Sequence, residues 1–232
     1  MKADEHIVFM YNQIPAIYFP VGKLEDGGSC EFMTEECFEY CPSLVKNEHE
    51  IRVMKYFVDS KATIIIDKIL SDLSFYGSTH IIWFQWGDCP SILEDKICEV
   101  LIRLSEIGVI QNVYTRNKSF WKKVPFTNSL RTAYRTETVE DAIALSLSSG
   151  KLTCCPNLDE GKARLYYEGK LRAKCCGVWC EWFPEKKIRF ADCCECYLYK
   201  RGCFQATHTF FSLHHVLLLC LVNLAPASFL LF

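Results

Sequence analysis

The sequence has no long run of lysine or arginine, and its formal net charge is only -2. Nucleic-acid-binding domains usually concentrate positive charge on one face or along one helix. The composition therefore gives no electrostatic support for a DNA- or RNA-binding role.

The N-terminus, MKADEHIVFMYNQ, lacks the basic segment and following apolar segment of a secretory signal peptide. Disulfide frameworks belong mainly to secreted proteins, whereas thiols in the cytoplasm are kept reduced. We therefore expect a cytoplasmic protein whose 15 cysteines are reduced. Clustered cysteines in that setting typically bind zinc or an iron–sulfur cluster.

A strand, a helix and a second strand are predicted within residues 78–117. The apolar run at residues 80–86 is too short for a helix and predicts a buried strand. Ser91 and Glu94 have the spacing of a capping box, and apolar residues then recur at helical spacing. Residues 109–114 predict the second strand, so the unit is βαβ with parallel strands.

The carboxyl ends of these two strands predict a binding site. Ligands of parallel α/β sheets bind beyond those ends. The candidate cofactor-binding residues are therefore Gly87 and Asp88 after the first strand, and Thr115 and Asn117 after the second. The pattern predicts where a ligand binds and does not define a reaction.

A first cysteine set follows a strand predicted at residues 16–19. Cys30, Cys37 and Cys41 are separated by six and then three residues. Three thiolates from one loop suit a [4Fe–4S] cluster with one open iron, and thiolates also bind zinc. Three isolated core cysteines are the structural alternative.

A second cysteine set follows a β-hairpin predicted at residues 163–174. A Cys-x-x-Cys pair lets two sulfurs reach one metal ion, and nearby cysteines can complete a tetrathiolate site for zinc or iron–sulfur. The candidate ligands of this site are Cys176, Cys180, Cys193, Cys196 and Cys203.

These elements predict an α/β fold with three regions. Residues 1–150 form a partial (β/α) barrel-like parallel sheet that includes the first cysteine loop. Residues 151–206 form the hairpin and a small C-terminal cysteine-rich metal-binding module, which we expect to cover the site. Residues 117–136, rich in basic and aromatic side chains, are interpreted as a solvated connector, with phosphate contact as the alternative.

The last region, residues 207–232, is a hydrophobic tail. Residues 209–232 include no charged residue over 24 positions, which is long enough to span a bilayer. A membrane anchor and a tail produced by read-through or a frameshift are both open interpretations.

The order of strand, three-cysteine loop and Gly87-Asp88 turn resembles the first half of the radical S-adenosylmethionine enzyme barrel. Pro90 matches that family's turn, and Thr115 and Asn117 loosely match a later strand end. The resemblance implies a [4Fe–4S] cluster on the cysteine loop and S-adenosylmethionine beside the turn, with Asp88 at its amino group. The family's usual cysteines are separated by three and then two residues, so this loop departs from its pattern.

The chain also resembles an uncharacterised, cysteine-rich family of phages and prokaryotes called gene-product-88-like. The shared features are the Ser-Cys-x6-Cys-x3-Cys loop, the strand ending in Gly-Asp, the Tyr-Thr-Arg strand end and the C-terminal cysteines. They cover most of residues 15–205. This resemblance implies a fold and a cluster, without an assigned reaction.

Two functions from different classes follow. The first is an iron–sulfur protein, radical S-adenosylmethionine-like if it is an enzyme, acting on a small molecule or a protein. The second is a non-catalytic interaction protein in which zinc staples both cysteine sets.

Overall fold

The computed structural model describes residues 6–11, 14–35, 37, 41, 48–127, 129–157 and 162–175. The strands are β1 (Phe9–Tyr11), β2 (Ile14–Ile17), β3 (His80–Trp83), β4 (Ile110–Thr115), β5 (Leu130–Arg135), β6 (Thr153–Asn157), β7 (Lys162–Tyr167) and β8 (Lys170–Cys175). The α-helices are α1 (Glu48–Asp59), α2 (Ala62–Phe75), α3 (Glu94–Glu106), α4 (Lys118–Lys123) and α5 (Val139–Ser149).

All eight strands belong to one mixed sheet, and their order in the sheet is their order in the chain. Strands β2 to β6 run parallel to one another. Strands β1, β7 and β8 pair antiparallel with their neighbours. The α/β class is confirmed, and so is the parallel pairing of the β3–α3–β4 unit, in which Trp83 lies beside Val113.

A buried apolar layer joins these strands to the helices. Trp83 and Val113 belong to the same cluster as Ile97 and Leu101 of α3, and all four are fully buried. Alternate residues of β3 and β4 are buried. The buried apolar residues of α3 lie three or four positions apart on one face, as the sequence pattern predicted. The layer holds the strand ends at fixed positions.

Apolar residues between positions 65 and 73 recur at the helical period, which predicts a helix, and α2 confirms it. Ile64, Ile65 and Ile66 could also have been a strand. Ile65 and Ile66 are buried while Ile64 is half exposed, which is the pattern of a helix with one apolar face.

The capping box predicted at Ser91 and Glu94 is wrong. Ser91–Leu93 form a short 3-10 helix without a side-chain cap, and α3 begins at Glu94. The carboxylate of Glu94 accepts hydrogen bonds from Asn117 and Lys123 instead. Glu94 therefore forms hydrogen bonds with residues distant in the chain and does not take part in a helix cap.

The interpretation of residues 117–136 as a solvated connector is also wrong. The segment contains α4 and β5, and β5 is a parallel strand between β4 and β6. Its aromatic side chains Phe120 and Trp121 are almost fully buried, while Lys118 and Lys122 are exposed. Basic and aromatic residues occur together because α4 has a buried aromatic side and an exposed basic side.

The later elements agree with the sequence pattern. Thr138 caps α5 by accepting a hydrogen bond from the Asp141 backbone N–H, and Gly150 ends the helix in the left-handed conformation. The predicted hairpin forms from β7 and β8 around Glu168 and Gly169.

Several predictions lie outside the described residues. They concern the C-terminal cysteine set of Cys176, Cys180, Cys193, Cys196 and Cys203, and the hydrophobic tail at residues 207–232. Among the helices that the structure describes, none is both long enough and apolar enough to cross a membrane.

Asp72 of α2 anchors the start of the described chain. Its buried carboxylate accepts hydrogen bonds from the backbone N–H groups of Ile7 and Val8 and pairs with His6 and Lys68. Burial opposes ionisation, but these donors prevail and lower the pKa of Asp72. The ionised form therefore stabilises the docking of residues 6–8 on α2.

Replacing Asp72 with Asn should lower the free energy of unfolding by about 1–3 kcal/mol at neutral pH, because buried donors lose their charged acceptor. A carboxyl group with a lowered pKa contributes stability above its ordinary pKa and loses that contribution as pH falls. The difference between Asp72→Asn and the unchanged protein should therefore shrink below about pH 4. Urea unfolding at several pH values measures both effects.

The matched control is Asp67→Asn, on the same helix but exposed. It should change stability little at any pH, since surface substitutions are usually within about 0.5 kcal/mol. Equal losses in the two variants would contradict the anchoring role of Asp72.

Candidate functional site

The candidate site is the carboxyl edge, which we define as the edge of the sheet where β2, β3, β4 and β5 end. A loop of residues 18–35 follows β2, a turn at residues 84–90 follows β3, and residues 116 and 117 follow β4. Parallel strands bring these connections together because their carboxyl ends lie at the same edge. The structure thus places the first cysteine loop and the predicted turn side by side.

Ser29 joins the cysteine loop to the turn. Its hydroxyl donates to the Pro20 carbonyl at 2.9 Å and accepts from the Asp88 backbone N–H at 3.0 Å. Gly87 adopts a positive φ of 75°, and a Cβ there would lie 2.5 Å from the Phe19 carbonyl oxygen and from Ser29 Oγ. Gly87 therefore allows the two segments to touch, which is a packing role.

The Asp88 carboxylate fastens this turn to the end of β4. Oδ1 accepts hydrogen bonds from the Cys89 backbone N–H at 2.7 Å and Thr115 Oγ1 at 2.6 Å, and Oδ2 accepts from the Arg116 backbone N–H at 2.8 Å. Burial raises the pKa of Asp88, although the three donors and the charge of Arg135 act against that shift.

Thr115 and Asn117 complete the same network. The Asn117 backbone N–H donates to Thr115 Oγ1, and the Asn117 side chain donates to the Cys89 carbonyl and to Glu94. Its Oδ1 also caps α4 by accepting from the Phe120 N–H. The four predicted cofactor-binding residues are therefore brought together, but their polar atoms mainly form hydrogen bonds within the protein.

The three cysteines of the first set lie around the same edge, each partly exposed. Burial raises the pKa of the Cys30 thiol to about 12, a hydrogen bond from the Gly22 backbone opposes the shift, and the charges of Asp88, Cys37 and Cys41 add to it. Cys30 thus lies near both other thiols and the Asp88 carboxylate. Within the described part of the chain, no three His, Cys, Asp or Glu side chains converge as a metal-binding group.

Arg116 places a positive charge beside this loop. Its guanidinium forms an ion pair with Glu137 and lies close enough to Cys37 for the sulfur to favour its charged form. Burial, and then the charge of Arg135, lower the pKa of Arg116. Glu137 is a site residue that the sequence analysis did not single out, whereas Arg116 belongs to the Tyr-Thr-Arg strand end and Arg135 to the basic segment of residues 117–136.

Cys89 lies in the turn, and its thiol is fully buried with Sγ 3.8 Å from the Pro90 carbonyl oxygen. Burial raises its pKa well above the ordinary value. A buried, protonated thiol is a poor nucleophile. Cys89 therefore fills space in the turn.

No protein-family model matches the chain, and no curated protein or solved structure matches it either.

The contact at Gly87 gives a test of how the site is held. Gly87→Ala should lower the free energy of unfolding by more than the strain of a positive φ alone, because its Cβ would overlap Phe19 and Ser29. The overlap should add about 1–3 kcal/mol, as overpacking does elsewhere. Chemical unfolding of the two proteins measures the difference.

Gly108→Ala is the matched control. Gly108 has a similar φ of 85°, but nothing lies within 4 Å of the position of its Cβ. This variant should show only the cost of the left-handed conformation, about 1–2 kcal/mol. Losses of the same size at both positions would argue against a tight contact between loop and turn.

Proposed function

We propose that the protein is an iron–sulfur protein whose cluster is held by Cys30, Cys37 and Cys41 at the carboxyl edge. One observation carries the proposal. Cys37, Cys41 and Asp88 all lie close enough to Cys30 for their charges to act on its thiol, and Cys30 is in the loop at the edge where parallel sheets bind their ligands.

The donor set suits such a group. Soft thiolates favour iron–sulfur clusters and zinc, and three cysteines leave one metal position open for another ligand. All three cysteines are partly exposed. When bound, an iron–sulfur group supplies electron transfer and, through its open iron, a binding position for S-adenosylmethionine.

The chain's own residues would orient and shield that group. Ser29 and Gly87 hold the cysteine loop against the turn, and Asp88 fixes the turn to β4. Oδ2 of Asp88 accepts one hydrogen bond in the described structure, so it could accept another from the ammonium of S-adenosylmethionine. Arg116 lies near Cys37, so its positive charge would favour the thiolate that a metal needs.

The sequential order of the parallel strands also supports a partial (β/α) barrel-like arrangement of the sheet. Strands β2 to β6 follow one another around the sheet, as in a partial (β/α) barrel, with helices between most of them. The region of residues 151–206 begins with β6, β7 and β8 of the sheet. We propose that it also adds a second metal site on Cys176, Cys180, Cys193, Cys196 and Cys203 that covers the carboxyl edge. The membrane-anchor interpretation of residues 209–232 stays a prediction.

Replacing Cys37 with Ser should remove most of the iron and acid-labile sulfide bound by the first site, because an alcohol is a far weaker ligand for iron than a thiolate. The change should leave the fold intact, since Cys37 is not part of the buried core. Anaerobic purification, assays of iron, sulfide and zinc, and the visible absorption spectrum measure the effect.

Cys98→Ser is the matched control. Cys98 is a partly buried free cysteine on α3, outside the cysteine loop, and its loss should leave the metal content unchanged. In the same assay Cys196→Ser should remove only the metal of the second site. A colourless protein that contains zinc alone would reject the iron–sulfur proposal in favour of the zinc-stapled interaction protein.

Metal binding at this site should strengthen as pH rises. Metals bind the thiolate, and Cys30 stays protonated until pH approaches its raised pKa of about 12. Binding must therefore release a proton from Cys30, so affinity should increase about tenfold per pH unit for that proton between about pH 6 and pH 9. Titration of the metal-free protein with Co²⁺, followed by absorbance, measures the slope.

A pH-independent affinity would contradict the participation of Cys30. Cys30→Ser should reduce the slope by about one proton, whereas Cys98→Ser should retain it.

A further inference from the structure

Two arginines stand side by side at the carboxyl edge. Strands β4 and β5 are parallel, with Thr115 opposite Tyr134. The residue after each of these is an arginine, Arg116 directly after β4 and Arg135 at the end of β5, and neighbouring strands lie about 4.8 Å apart. Two positively charged side chains therefore leave the sheet at the same corner.

Arg116 is fixed in position, but one of its hydrogen-bond donors has no acceptor among the described residues. Its backbone N–H donates to Asp88, and its side chain, only 9% exposed, contacts Glu137 and Cys37. Its Nε is buried without a hydrogen-bond partner among the residues that the structure describes. A buried donor without an acceptor is costly, so this atom points to an acceptor that a ligand supplies.

Arg135 is half-buried, and its side chain forms no hydrogen bond or ion pair with any described residue. The carboxylate of Asp88 is close enough for its charge to act on Arg135. No ion pair joins Asp88 to Arg135 among the described residues, and the Asp88 oxygens accept hydrogen bonds from Cys89, Thr115 and Arg116. The donors of Arg135 are therefore available at the edge.

We propose that Arg116 and Arg135 form a subsite that binds the phosphate group of a small-molecule ligand. A guanidinium has five N–H donors, so Arg135 together with Nε of Arg116 offers six. A carboxylate accepts about four hydrogen bonds, whereas the three terminal oxygens of a phosphate accept more and carry up to two charges. A phosphate therefore matches the six available N–H donors better than a carboxylate does.

Charge supports the same ligand. Glu137 is the one carboxylate among the described residues that pairs with either arginine, and it pairs with Arg116 alone. Two guanidinium groups at one corner repel each other, and an anion between them replaces that repulsion with two attractions. The subsite adjoins Cys37 through Arg116. That the ligand is a substrate rests on the proposed function, whereas its binding does not.

Isothermal titration with inorganic phosphate tests the proposal, at ionic strength held constant with chloride. The unchanged protein should bind one phosphate saturably, and Arg135→Gln should weaken binding at least tenfold. Arg135 lacks a described partner, so this variant should fold normally. Arg116→Gln should weaken binding as well, and Arg103→Gln should not, because Arg103 is exposed on α3 and pairs with Glu99.

Absence of saturable phosphate binding, or equal binding by Arg135→Gln, overturns the proposal. Acetate or S-adenosylmethionine binding at Arg135 more tightly than phosphate also overturns it, because the subsite would then recognise a carboxylate. Metal content is measured in the same preparations. Phosphate binding in a protein without iron would refute the proposed function and leave this subsite standing. Iron binding without phosphate binding would support the proposed function and refute the subsite.

Discussion

The carboxyl edge depends on one buried carboxylate. Asp88 accepts hydrogen bonds from Cys89, Thr115 and Arg116, while its own backbone N–H donates to Ser29. These bonds join the turn after β3 to the end of β4 and to the cysteine loop. Burying a carboxyl group is costly unless its oxygens are satisfied, and here every donor comes from a segment that the group must hold. The same bonds thus offset part of the cost of burial and fix the geometry of the site.

The layer beneath the edge makes that arrangement rigid. The Trp83 indole donates to Gln111, and the Gln111 side chain in turn donates to the Leu101 carbonyl of α3. Both side chains are fully buried, so their polar atoms are satisfied within the core. This chain of hydrogen bonds crosses β3, β4 and α3 at the depth of the apolar cluster. The strand ends consequently have little freedom to separate.

The parts of this fold that follow local rules could be predicted from the sequence. The β3–α3–β4 unit and the cap at Thr138 depend on periodicity and on neighbours along the chain. The contacts of Ser29 and Glu94 could not be predicted, because their partners lie 59 and 23 residues away. The interpretation of residues 117–136 as a solvated connector was wrong for a related reason. The lysines around Trp121 suggested an exposed segment, whereas the burial of α4 depends on strands elsewhere in the chain.

The charges at the edge explain why cysteines and arginines occur together. Deprotonating Cys30 would place a negative charge near Asp88 in a poorly hydrated loop, which is why the thiol retains its proton until about pH 12. Three thiolates there would repel one another and that carboxylate unless positive charge lay close by. Arg116 contacts Cys37, and Arg135 lies beside Arg116. These guanidinium groups can therefore stabilise an anionic cysteine loop and attract an anionic ligand, since both depend on the same excess of positive charge at one corner of the sheet.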